Sequence, residues 1–156
     1  MKPRMNSPVM IVPEASQALQ ALGKALFASA ESSSVPKRTL FLCYLRASQI
    51  NGDSVCVDLH SRNAMAAGET TERLLAAAAW RETPHFTDAE RAALALSEAV
   101  TRLSDRTDPV PDEIFREAAR HYDEQALATL VAGIATVNLW NRLNVATKQT
   151  VAPTAG

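Results

Sequence analysis

The chain has 156 residues, 47% hydrophobic and only 5% aromatic, with a net charge of −1 and a pI near 6.3. That length holds one domain with a real core. The near-neutral charge provides no basic footprint for nucleic acid or for an anionic membrane. Two Cys are too few for a disulfide framework, so reduced thiols are expected. No run of about 18 apolar residues and no signal-peptide pattern is present. A cytoplasmic protein is the expectation.

Residues 1–12 carry no usable hydrophobic period and are expected to form an N-terminal arm, with Met5, Val9, Met10, Ile11 and Val12 apolar enough to dock on a surface. Pro13 suits the first position of a helix, and Leu19, Leu22 and Leu26 follow at helical spacing. The segment 28–34 (ASAESSS) has loop composition. A second helix over 36–50 is apolar almost all round, as expected of a central buried element. Arg46 lies inside that run, where a structural ion pair is the expected role, since a buried guanidinium needs a partner. Cys43 is expected to be a core thiol.

Asn51-Gly52 ends that helix, and Asp53 occupies the N-cap position of the next, which is predicted from Ser54 to about Ala67 with Gly68 beyond its end. Cys56 and His60 are four residues apart, one turn along one face. A thiol near a helix N-terminus is drawn toward the thiolate by the macrodipole, and an imidazole one turn on can move a proton. Each residue also has a plain structural role: inert thiol, packed histidine, helix cap. Thr70 and Thr71 cap the next helix, which carries Leu74, Leu75 and an Ala run to Trp80, with Pro84 as its stop. Thr87 and Glu90 form a capping box. After a loop over 105–111 come a short helix to about Arg120 and a long last helix capped by Asp123 that reaches about Ala146. Residues 147–156 read as a tail. No strand pattern appears. The chain is predicted to be all-α, a single-domain helical bundle of six or seven helices covering 13–146. Its low aromatic and high Ala content favour a homo-oligomer that buries further helix faces.

The run Arg46, Ser48, Gln49, Ile50, Asn51, Gly52, then Cys56 and His60, resembles the signature of the alkylhydroperoxidase D-like branch of the carboxymuconolactone decarboxylase family. Residues 79–82 with 86–93, and 138–145 (NLWNRLNV), fit its flanking pattern, so the resemblance spans about 35–146. It implies that fold and a peroxidase-like thiol oxidoreductase (an antioxidant activity). In this reading Cys56 is the nucleophile, His60 the proton relay, a small peroxide the substrate and an external thiol the reductant. A trimer or hexamer is implied as well. The first Cys of the family's pair falls on Asp53, and a Glu of the pattern falls on Phe41. By itself, a carboxylate at Asp53 repels a thiolate at Cys56 and raises its pKa, unless His60 or Arg46 holds it. A helical scaffold or binding protein without catalysis is the alternative. No cofactor is expected. A metal on His60, His85 or His121 with Asp53 or Asp58 lacks the further convergent ligands it needs.

Overall fold

A computed structural model describes residues 2–104 and 106–151. Among them the chain forms eight α-helices and one 3-10 segment, with no strand: α1 (Pro8–Ile11), α2 (Pro13–Glu31), α3 (Lys37–Asn51), α4 (Ser54–Ala66), α5 (Thr71–Ala76), the 3-10 segment (Ala77–Glu82), α6 (Asp88–Thr101), α7 (Asp112–His121) and α8 (Glu124–Thr147). The all-α expectation holds, and the helix count is higher than six or seven. The extra helix is α1, a single turn opened by Pro8 inside the N-terminal arm and broken at Val12 before Pro13 opens α2. The arm lies along the end of α8: the Arg4 amide donates to the Thr147 carbonyl at 2.9 Å, and the Gln149 side chain donates to the Met5 carbonyl at 3.0 Å. Residues 152–156 of the expected tail, and Asp105 of the expected loop, lie outside the described residues.

Helix α3 is the central element. Leu40, Leu42, Cys43, Leu45 and Ala47 are all 0–1% exposed, and α3 packs on α4, α6 and α8. One of its faces joins Leu96, Leu130, Ile134 and Val137 in the main core. The opposite face, through Leu42 and Leu45, meets Leu74, Trp80, Phe86 and Leu94 in a second cluster. Apolar residues on both faces are what its unbroken hydrophobic run demands.

The local stop and start signals act as the sequence implies. Gly52 takes φ 68°, the left-handed conformation that ends α3 at little cost. Thr87 and Glu90 close a reciprocal capping box on α6, and Asp123 accepts from the Ala126 amide at 2.8 Å to start α8. Two boundaries differ. The segment expected as a loop from 28 is helical to Glu31, because Ala30 is buried and the Ser29 hydroxyl bonds that of Thr129 on α8 at 2.7 Å. The Ala run after Leu75 tightens into the 3-10 segment with a kink at Ala79 (φ −121°, ψ 33°). There the Trp80 indole turns inward to donate to Glu98 at 3.1 Å, and Arg91 caps the freed carbonyls of Trp80, Arg81 and Thr83. Among the described residues no helix is long and apolar enough to cross a membrane.

Candidate active site

The turn from α3 to α4 delivers Asp53 and Cys56 against the far half of α8. Asp53, 2% exposed, is the N-cap of α4: its Oδ1 accepts the amides of Val55 and Cys56, both at 3.1 Å. Its Oδ2 accepts the side-chain amides of Asn141 and Asn144, both at 2.9 Å. Four N–H donors therefore hold one carboxylate, enough to compensate for its removal from water. Neither His60 nor Arg46 holds this carboxylate; the two asparagines do. Arg46 donates from Nε to Glu98 at 2.6 Å, the structural ion pair expected of it, and Arg81 (2.6 Å), Arg102 (3.3 Å) and the Trp80 indole converge on the same carboxylate. Burial would raise the pKa of Glu98, but Arg81, Arg46 and Trp80 outweigh it and hold the carboxyl down at about 2.

Asn144 also donates to the Cys56 sulfur at 3.4 Å, bridging thiol and carboxylate. It is the last of three buried asparagines, with Asn138 and Asn141, spaced three apart on α8. Asn51 donates to the carbonyl oxygens of Asn138 and Asn141, each at 2.9 Å, and Asn141 donates to Ser48 at 3.1 Å. By sequence alone, residues 138–145 fit only a flanking pattern, and these amides have no assigned role. The available signal was three Asn on one stripe of a largely apolar helix, since buried amides require partners.

Cys56 is 4% exposed. Burial, and next the adjacent Asp53 carboxylate, push its thiol up to about 12, while the Asn144 amide pulls the other way. At neutral pH Cys56 is a protonated thiol. Asp53 thus satisfies the helix N-terminus and at the same time cancels its pull on the sulfur. The sulfur sits among amides and a carboxylate. Cys43 faces away toward α6, its thiol donating to the Ala93 carbonyl at 3.5 Å, and burial pushes it to about 12 as well.

His60 leaves α4 in a different direction. Its ring stands edge-on to Tyr44 at 5.2 Å and lines a cavity of about 250 Å³ between α2, α3, α4 and α8, with Phe27, Phe41 and Trp140. Cys56 lines neither this cavity nor the groove that reaches Asp53 beside Lys148 and Gln149. Burial lowers His60 to about 4 against the opposing charge of Asp53, so the ring is neutral at pH 7. Its Nδ1 is buried without a hydrogen-bond partner. Phe41 occupies the position of the expected Glu and tilts against Phe27 at 5.0 Å. The three candidate residues thus occupy the N-cap and the first two turns of α4, yet their side chains face two environments: amides for Asp53 and Cys56, aromatics for His60.

The sequence profile of the carboxymuconolactone decarboxylase family matches residues 13–99. The uncharacterized protein YdfG of Bacillus subtilis is 38% identical over 116 residues, covering 74% of this chain and 78% of YdfG. The uncharacterized protein YnjA of Escherichia coli is 40% identical over 92 residues, 58% of this chain and 48% of YnjA. A crystal structure of ATU0492 from Agrobacterium tumefaciens, a protein of unknown function provisionally assigned as the antioxidant defence protein AhpD, superposes with a TM-score of 0.88 at 30% identity, covering 98% of this chain and all of that one. The debrominase Bmp8 superposes at 0.80 with 25% identity, covering 92% of this chain and 74% of Bmp8. The fold is AhpD-like, and the profile match across more than half of its length, together with the extent of its likeness to YdfG, shows that this chain belongs to the carboxymuconolactone decarboxylase family.

Proposed function

We propose that this chain is a thiol oxidoreductase of the alkylhydroperoxidase type, acting on a small peroxide through Cys56, with His60 relaying protons and an external thiol as reductant. The observation that carries this reading is the seat of Cys56 in the first turn of α4, with the Asn144 amide on its sulfur, in a chain of this family. In the reaction the Cys56 proton leaves and a sulfur electron pair attacks one peroxide oxygen. The O–O bond breaks, and the products are a sulfenic acid at Cys56 and an alcohol or water. An external thiol then condenses with the sulfenic acid and releases water. A second thiol attacks the mixed disulfide, restores Cys56 and leaves as the oxidised disulfide. Asp53 cannot close a disulfide, so recycling has to come from outside.

Burial and the Asp53 carboxylate keep Cys56 protonated at neutral pH, so turnover is slow and climbs with pH. Peroxide consumption with a dithiol reductant tests the reading. Cys56→Ser is expected to abolish activity, Cys43→Ser to leave it nearly unchanged, and Asp53→Cys to raise it at least tenfold by removing the repelling charge and supplying a resolving thiol. Equal consumption by wild type and Cys56→Ser, with no gain from Asp53→Cys, would overturn it. That outcome selects the second reading, a binding scaffold without chemistry, which the protonated and enclosed thiol favours.

A homo-oligomer, trimer or hexamer, belongs to the same proposal. Met10 (76% exposed) and Leu75 (79%), with Ile11, Val12 and Phe115 also exposed, are apolar surface that an assembly would bury. Sedimentation is expected to show the oligomer at tens of micromolar, and a monomer alone at that concentration contradicts it.

A further inference from the structure

A cluster of charge that the thiol chemistry leaves unused lies where α3, the 3-10 segment and the end of α6 meet. Both oxygens of Glu98 are engaged there. Oε1 takes the Arg46 Nε at 2.6 Å and the Trp80 indole at 3.1 Å, and Oε2 takes Arg81 at 2.6 Å and Arg102 at 3.3 Å. Three guanidinium groups against one carboxylate leave an excess of positive charge. The C-terminal end of α6 beside Arg102 offsets only about half a unit of it. Among the described residues no other acidic side chain pairs with any of the three, Glu82 next to Arg81 included. Arg46 is enclosed and turns its Nη1 to Gln49 at 3.4 Å. Arg81 and Arg102 differ from it: their side chains are 52% and 39% exposed, and both converge on the same Oε2. Among the described residues no acceptor takes their remaining side-chain N–H groups. Arg81 is also held over the Trp80 ring, 4.1 Å from its centroid.

We propose that Arg81 and Arg102, pinned side by side on Glu98, bind a phosphate dianion, either the free ion or a monoester. Two like charges on one oxygen repel each other, and an anion on their solvent side relieves that repulsion. Each guanidinium is a planar fork that can bond two oxygens of a phosphate at once. Two forks and an excess of charge favour a dianion with three free oxygens over a monocarboxylate. Glu98 and the Trp80 ring hold the arginines in place before the ligand arrives, so little order has to be imposed on binding. The site uses none of Asp53, Cys56 and His60, and it stands apart from any reaction at Cys56.

Titration of the full chain with inorganic phosphate, methyl phosphate and acetate at constant ionic strength and about pH 8, where both phosphates are dianions, tests the proposal. The readout is the NMR signal of the Trp80 indole N–H, which donates to Glu98, with the Trp140 indole as internal control. A saturable shift at Trp80 is expected with a Kd on the order of 1 mM for phosphate, at least tenfold tighter than acetate and weaker as NaCl is raised. Tighter binding of methyl phosphate would identify the ligand as a monoester, and equal or weaker binding as the free ion. Arg81→Gln and Arg102→Gln are each expected to weaken phosphate at least fivefold, and the double variant to abolish the shift. Both leave the Arg46–Glu98 pair in place, so melting should fall by no more than about 3 °C. Acetate binding as tightly as phosphate overturns the site, as does a phosphate shift that persists in the double variant or appears at Trp140 in place of Trp80. Failure of phosphate to move the Trp80 signal of the wild type also overturns it. If the double variant then alters sedimentation as well, the two arginines pair with a second copy of the chain instead.

Discussion

Asp53→Asn is expected to speed alkylation of Cys56 by iodoacetamide about tenfold at pH 8 while costing about 2 kcal/mol of stability. Both effects come from one atom. The carboxylate lies beside a buried sulfur and, after burial, is the main reason the thiol stands near 12. An amide keeps the size and the cap on the α4 amides but removes the charge, so the thiolate becomes easier to form. It also sets a donor against the Asn141 and Asn144 amides, which both point at Oδ2 from 2.9 Å. Buried donors that face each other lose their partners. The rate is read by mass spectrometry after timed alkylation, and the stability by urea unfolding. An unchanged alkylation rate would show that burial alone sets the Cys56 thiol.

Glu98→Ala is expected to be the most destabilising single change in the helix scaffold, at about 3–5 kcal/mol, the usual cost of stripping the partner from a buried charge. Arg46 is only 13% exposed at its side chain and has Glu98 as its carboxylate partner, whereas Arg81 and Arg102 reach solvent and can relax. For a domain of this size the melting temperature should fall by about 10 °C or more. The pH dependence follows from the direction of the shift. Glu98 is held down to about 2 from a usual 4.5, so its contribution is present above pH 4.5 and lost as the pH falls toward 2. The variant should show a flatter acid limb as well as a lower melting point, both read by thermal scans across that range. A loss below about 1 kcal/mol would mean that water reaches Arg46.

What the sequence disclosed depended on distance along the chain. Asp53, Thr87 with Glu90, and Asp123 were legible as caps because each acts on amides two or three residues away. The left-handed turn at Gly52 was legible for the same reason. The helical turn at 28–31 was not, because it depends on Ser29 meeting Thr129 a hundred residues later. Arg46 announced that it needed a partner but not which one; Glu98 is on α6. The asparagine stripe of α8 is the same kind of case: its composition was visible, while the Asp53 and Cys56 it serves come from the α3–α4 turn. The spacing of Cys56 and His60 correctly put them one turn apart on α4. It did not foresee that α8 amides would enclose the thiol while Tyr44 and Phe41 drew the imidazole into a separate cavity.

Intact-mass analysis after peroxide, with a sulfenic-acid trap present and the pH stepped from 7 to 9, decides whether Cys56 is the reacting thiol. Below about 9, the ordinary thiol value, the raised pKa of Cys56 leaves its contribution to stability intact, so the fold is not the variable; that contribution is lost progressively as the pH climbs from about 9 to about 12. One trap adduct per chain is expected, located on Cys56, forming about tenfold faster for each pH unit and absent from Cys56→Ser. An adduct on Cys43, or none on Cys56 at any pH in that range, would contradict it.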